Sequence, residues 1–81
     1  MSLLQLSENL LHLRKSRNLT QDQLSKRLCV KIILYQAWEN RRSIPQTPDL
    51  VMLSQLYDVS INDLVRKDLA KTNNPRRDGG Y

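Results

Sequence analysis

The sequence has 81 residues, enough for one small domain with an efficient hydrophobic core, because short chains bury a limited share of their surface. Its composition, 40% apolar with no phenylalanine, favours a leucine-rich helical core over a β-sandwich. The net charge of +5 suits a polyanionic partner without requiring one.

Neither a membrane segment nor a secretion signal is evident. No apolar run approaches the roughly 20 residues of a membrane span, and the N-terminus lacks a signal-peptide pattern. The single cysteine excludes an internal disulfide and fits a reducing compartment. We therefore expect a cytoplasmic protein that does not engage a membrane.

The first predicted helix has leucines at three- and four-residue spacing: Leu3, Leu6, Leu10 and Leu13. Arg14, Lys15 and Arg17 follow near its end, where cations complement the negative end of the helix dipole. Asn18 is predicted to terminate this helix in the left-handed conformation.

The stretch from Thr20 to Glu39, TQDQLSKRLCVKIILYQAWE, predicts two short helices joined by a turn. Thr20 and Gln23 have the spacing of a capping box, which marks the start of a helix. Each helix has an apolar face at helical spacing: Leu24 and Leu28, then Tyr35 and Trp38. Two short amphipathic helices with a tight turn are typical of a helix-turn-helix.

This stretch resembles the phage-repressor helix-turn-helix family, the Cro-like or XRE group. The resemblance extends from about Leu6 to Leu69 and is carried by Leu19-Thr20-Gln21, Leu24, the small Ser25, Leu28, Val30, Tyr35, Trp38 and Glu39-Asn40. It implies an all-α, five-helix, lambda-repressor-like DNA-binding domain over residues 1–70, with the helix-turn-helix at helices 2 and 3. It also implies that Tyr35 and Trp38 belong to the core and that Glu39 supports the motif by pairing with Arg14.

Two positions in the motif depart from the family pattern. Cys29 occupies a turn position that usually holds Gly, so either the turn is not left-handed or Cys29 is strained. Lys31 begins the second helix where many relatives have a Ser or Thr cap, and losing such a cap costs about 1 kcal/mol.

Two more helices and a tail are predicted after the motif. Thr47-Pro48-Asp49 predicts a helix start with Pro48 in its first position. Ser60 is the predicted cap of a last short helix, which Leu69 could extend. Residues 71–81 are rich in charge and turn formers, so we expect a basic, disordered tail.

The resemblance also implies which residues contact DNA phosphates. In relatives, the residue matching Gln21 binds a phosphate and often braces the recognition helix. Lys31, Arg41 and Arg42 flank the predicted recognition helix, which spans about residues 31–39, and a helix in the major groove brings such positions near phosphates.

The positions that read bases in relatives carry Ile32, Ile33, Gln36 and Ala37. Apolar side chains cannot make the forked hydrogen bonds of major-groove readout, but they can contact thymine methyl groups. Adjacent exposed isoleucines can also bind a protein. A protein-interaction module, antitoxin-like or a regulatory partner, docking through Ile32, Ile33 and Leu34, therefore remains an alternative.

No catalytic motif, metal site or cofactor site is recognisable. The sequence lacks a Gly-rich phosphate loop, a nucleophile elbow and an acid pair. His12 and Cys29 each lack a companion at metal-ligand spacing. We therefore predict a protein that is not an enzyme and has no cofactor or small-molecule ligand.

The sequence thus predicts a sequence-specific transcriptional regulator that binds double-stranded DNA as a homodimer on a two-fold operator. That it acts as a repressor is implied by the resemblance. The last helix with Leu69, or Met52, is the candidate dimer surface.

Overall fold

The computed structural model describes residues 3–70, and within that range the chain is all-α. Its five helices are α1 (Leu3–Ser16), α2 (Gln21–Leu28), α3 (Ile32–Glu39), α4 (Thr47–Tyr57) and α5 (Ile61–Arg66). The five-helix prediction is thus confirmed. The predicted tail at 71–81 lies outside the described residues. None of the helices between residues 3 and 70 combines the length and apolar character that crossing a membrane requires.

One hydrophobic core joins all five helices. α1 is central to it and packs against both α3 and α5. The rings of Tyr35 and Trp38 meet edge to face, with their centroids 5.7 Å apart. The buried side chains are Leu6, Leu10, Leu13, Leu24, Leu28, Tyr35, Trp38, Leu50, Leu53, Tyr57, Leu64, Val65 and Leu69.

The candidate dimer residues need a correction. Leu69 does not extend α5, which ends at Arg66. It is buried in the core because the chain turns back toward α1 after that helix, and Met52 is half-buried against the same core. Leu69 therefore offers no free apolar surface in the described fold, and Met52 offers only the exposed part of its side chain.

A residue in the left-handed conformation lies just after each of four helices, α1 to α4. Asn18 has φ 56°, as predicted. Cys29 has φ 58°, which decides between the two expectations for this turn: it is left-handed and holds a residue with a Cβ. Arg41 (φ 63°) and Asp58 (φ 57°) also adopt this conformation, which no sequence pattern predicts at these positions.

The helix starts largely follow the capping predictions. At α2, Gln23 N donates to Thr20 Oγ1 at 3.0 Å and Thr20 N donates to Gln23 Oε1 at 2.9 Å, so the capping box is confirmed. α3 begins one residue after Lys31, which caps it without a side-chain hydrogen bond. α4 is capped by Gln46, so Pro48 is its second residue rather than its first.

A buried asparagine fastens the end of the fold to α1. Asn9 is 1% exposed, and its Nδ2 donates to the carbonyl oxygens of Leu64 at 2.7 Å and Lys67 at 2.6 Å. Its Oδ1 accepts from Leu69 N at 3.1 Å and Gln5 Nε2 at 3.2 Å. All of its hydrogen-bonding capacity is therefore used, and the segment after α5 is held against α1.

Candidate nucleic-acid interface

α2 and α3 form the helix-turn-helix, and they pack closely because a small residue lies between them. Ser25 is buried, and its hydroxyl donates to Asp22 O at 2.9 Å within its own helix. Val30 N donates to Ser25 O at 3.0 Å and closes the turn. Ser7 of α1 donates to Trp38 O at 2.8 Å, which fixes the far end of α3 to the first helix.

Glu39, the last residue of α3, is the centre of a hydrogen-bond network under the motif. Its side chain is 5% exposed and faces Arg14 of α1, which is 12% exposed. Arg14 donates twice, Nε to Oε2 at 2.7 Å and Nη2 to Oε1 at 3.1 Å. The Tyr35 hydroxyl donates to Oε2, and Gln21 Nε2 donates to Oε1 at 2.9 Å. The predicted pairing of Glu39 with Arg14 is present in the structure.

The charges in this network stabilise one another. Burial by itself raises the pKa of Glu39, but the hydrogen bonds from Arg14, Tyr35 and Gln21 outweigh it and the net pKa is lowered. The hydrogen bond to Glu39 raises the pKa of Arg14. Burial and the neighbouring carboxylate raise the pKa of Tyr35, which therefore stays a neutral donor. Glu39 is thus a carboxylate that accepts hydrogen bonds at both oxygens.

The network continues from Glu39 to the outer surface of α3. Gln21, at the start of α2, donates to Glu39 and accepts from Gln36 Nε2 at 3.1 Å. Gln36 is half-buried. The structure therefore brings two of the candidate DNA-contacting residues, Gln21 and Gln36, into direct contact.

The outward face of α3 is apolar and uncovered. Ile33 is 71% exposed, Ile32 is 38% exposed and Leu34 is 39% exposed. Ala37, one turn further along, is half-buried. Ile33 and Ala37 lie opposite Tyr35 and Trp38, which face the core, while Ile32 and Leu34 lie at the two edges between these sides. α3 is therefore apolar on both sides.

Cations lie at both ends of α3. Lys31 is exposed just before the helix, and Arg41 and Arg42 are exposed just after it. Arg41 also lines a shallow groove against α1, together with Glu8 and Leu11. Arg42 is not among the residues that line that groove.

Part of this site could not be found from the sequence. The Tyr35 hydroxyl donates to a residue four positions later on the same helix, a spacing that signals contact but not which groups pair. The hydrogen bond from Gln36 to Gln21 spans two helices, and neither residue carries a local signal for it.

A family model described as "Helix-turn-helix" matches residues 10–64. The chain belongs to the helix-turn-helix family. The resemblance noted in the sequence is thereby confirmed over most of the five-helix fold.

A curated relative also resembles this helix-turn-helix chain. The HTH-type transcriptional activator BcrR of Enterococcus faecalis is 32% identical over 75 residues, which cover 88% of this chain and 37% of that protein. This chain therefore spans little more than a third of the relative's length. No solved structure matches the chain.

Proposed function

We propose that this chain is a sequence-specific, DNA-binding transcriptional regulator that inserts α3 into the major groove. The observation that carries the proposal is the uncovered face of α3, where Ile33 is 71% exposed, between cations at Lys31 and at Arg41-Arg42. A helix with phosphate-binding groups at its two ends and an open face between them suits a groove bounded by two phosphate backbones.

Phosphate contacts supply most of the affinity in this proposal. Lys31, Arg41 and Arg42 are exposed cations, and Gln21 retains one N–H after donating the other to Glu39. These four residues bind without sequence preference and hold α3 in register.

Base contacts come from Ile32, Ile33, Gln36 and Ala37. The three apolar residues contact thymine methyl groups and exclude water, and Gln36 supplies hydrogen bonds. One helix this short contacts too few bases for useful specificity. We therefore propose a homodimer that places two copies of α3 about 34 Å apart on a two-fold operator.

The regulator is proposed to act in the cytoplasm as a repressor that blocks a promoter by occupying it. The resemblance to phage repressors favours repression, whereas the relative BcrR is named an activator. The stretch matched to this chain is 37% of BcrR, so the activity named for that protein need not come from the shared part. A reporter gene placed behind the operator decides between the two: reduced expression supports repression, and increased expression contradicts it.

The second candidate function is protein binding through Ile32, Ile33 and Leu34, favoured by their exposure of 38%, 71% and 39%. Charge favours DNA over this alternative. Cations around an apolar patch suit phosphates, whereas in a dry protein interface they are costly to desolvate.

Titration of random duplex DNA at two salt concentrations tests the proposal. We expect binding that weakens steeply with salt, and electrophoretic shifts that include a complex with two protomers. Absence of DNA binding at low salt would contradict the proposal. DNA binding with only one protomer per complex, and a monomeric mass at micromolar concentration, would contradict the homodimer.

A further inference from the structure

The hydrogen bonds that link Glu39, Gln21 and Gln36 have a fixed direction. Glu39 is an ionised carboxylate, which can only accept hydrogen bonds. Gln21 must therefore turn its amide nitrogen toward Glu39, and Nε2 lies 2.9 Å from Oε1 of that residue. The amide oxygen of Gln21 then points away from Glu39, toward α3.

The same reasoning fixes the amide of Gln36. The oxygen of Gln21 needs a donor, and Gln36 Nε2 supplies one at 3.1 Å. The reverse orientation of Gln36 would put two amide oxygens against each other. A buried charge thus sets the orientation of a side chain on the outer part of α3, two hydrogen bonds away.

This orientation limits what Gln36 can bind. An amide has two N–H groups and one oxygen, and one N–H is already used by Gln21. One N–H and the carbonyl oxygen remain. In the major groove, adenine presents N7 as an acceptor and its amino group as a donor, whereas guanine presents two acceptors.

We infer that Gln36 is a specificity-determining residue that selects adenine and rejects guanine, and that Glu39, acting through Gln21, is its positioning residue. This role deepens the proposed function and rests on α3 entering the major groove. When Gln21 takes the N–H trans to the Gln36 oxygen, the cis N–H and the oxygen remain side by side, and adenine can form two hydrogen bonds with them. Guanine can form one, and its O6 would face the carbonyl oxygen of Gln36.

The orientation can be tested in the free protein, without DNA. Side-chain amide NMR signals should place one Gln36 Hε2 proton near Gln21 and show slowed exchange for it. Gln21→Met removes the acceptor but keeps a side chain of similar length, so this protection should disappear. Equal exchange of both Gln36 protons in the unaltered protein would overturn the inference, whatever the protein binds.

The selection of bases is tested by recovering bound sequences from randomised duplex DNA. The unaltered protein should select adenine over guanine at one position in each half-site, by at least about fivefold. Gln36→Ala should lose this selection at that position alone. Gln21→Met should reduce the preference for adenine over guanine at that position, because the second N–H of Gln36 is then free to donate to guanine. Ile33→Ala is the matched control. It should change the base preference at a different position of the half-site and keep the preference for adenine at the Gln36 position.

The outcomes separate this inference from the proposed function. If the protein selects a sequence but Gln36→Ala leaves every position unchanged, the base contact assigned to Gln36 is wrong, while sequence-specific binding through α3 still stands. If Gln21→Met keeps the full preference for adenine over guanine, the orientation by Glu39 and Gln21 is overturned. If the unaltered protein selects no sequence, sequence-specific binding fails together with this inference. Melting curves for each variant show that it is folded.

Discussion

Two buried polar clusters hold the helices together, and they differ in charge and in where they end. Asn9 is neutral, and three of its four partners are backbone groups at the end of α5 and just beyond it. Glu39 is charged, its partners are side chains of α1, α2 and α3, and the network continues through Gln21 to Gln36. The hydrogen bonds of Asn9 join α1 to the segment at the end of α5, while those of Glu39 lead through Gln21 to the proposed DNA-binding surface.

The difference shows what each cluster can do. A neutral amide with every hydrogen bond made fixes chain topology without a net charge to desolvate. A buried carboxylate is costly to desolvate, and that cost is offset when several donors surround it. A buried carboxylate can also orient a neighbouring side-chain amide, because the carboxylate accepts hydrogen bonds and never donates them.

The largest expected effect comes from removing the cation of the charged cluster. Arg14→Met should lower the free energy of unfolding by about 3 to 5 kcal/mol, because Glu39 is left as a buried charge without its ion-pair partner. Urea unfolding measures this. The double variant Arg14→Met with Glu39→Gln should recover part of the loss, since no unpaired charge remains. A loss below about 1 kcal/mol for the single variant would show that the pair is unimportant.

The neutral cluster should be somewhat less sensitive. Asn9→Ala leaves the amide of Leu69 and the carbonyls of Leu64 and Lys67 without a side-chain partner, so we expect a loss of about 2 to 3 kcal/mol. The base preference of the folded variant should not change, because the groups that Asn9 binds belong to α1, α5 and the segment after α5. An altered base preference in DNA selection would remove the distinction between the two clusters.

The charged cluster should also make stability depend on pH. The pKa of Glu39 is lowered from its ordinary value of 4.5, so the unfolded chain binds this proton more tightly than the folded protein does. The stability that Glu39 contributes is therefore complete above about pH 4.5 and is lost as the pH falls through the folded-state pKa. In Glu39→Gln, the free energy of unfolding should change less with pH below about pH 4.5. An unchanged slope would contradict the lowered pKa.

The smallest expected effect concerns a buried polar group that lacks a partner. The hydroxyl of Tyr57 makes no hydrogen bond with residues 4–70, and burial raises its pKa to about 12. Tyr57→Phe keeps the aromatic ring, whose centroid lies 5.5 Å from Cζ of Arg17. Melting curves should show stability unchanged or raised by up to about 1 kcal/mol, because no hydrogen bond is lost. A loss above about 1 kcal/mol would show that the hydroxyl has a partner.

Sequence patterns predicted the elements that depend on local signals. The capping box at Thr20 is a pairing of neighbours, and the leucine spacing of α1 marks its buried face. The pairing of Arg14 with Glu39 was expected because the family resemblance implies it, although the two residues lie 25 positions apart.

The remaining features depend on tertiary contacts that leave no local signal. Asn9 binds backbone groups 55 to 60 positions away, and any residue can supply a backbone group. After α3, Asn favours the left-handed conformation more than Arg does, yet Arg41 adopts that conformation while Asn40 has φ −91°. The chain reversal between α3 and α4 therefore overrides the residue preference.

The central claim, that the outward face of α3 contacts DNA between flanking phosphate contacts, is tested most directly by comparing Lys31→Ala with Ile33→Ala on operator and random duplexes. Lys31→Ala should weaken binding to both duplexes about equally and lower the salt slope by about one unit. Ile33→Ala should reduce the preference for the operator by about 1 kcal/mol and leave the salt slope nearly unchanged. If neither variant changes DNA binding, α3 does not face the groove. Loss of a protein complex in Ile33→Ala, with no effect of Lys31→Ala, would favour the protein-interaction module instead.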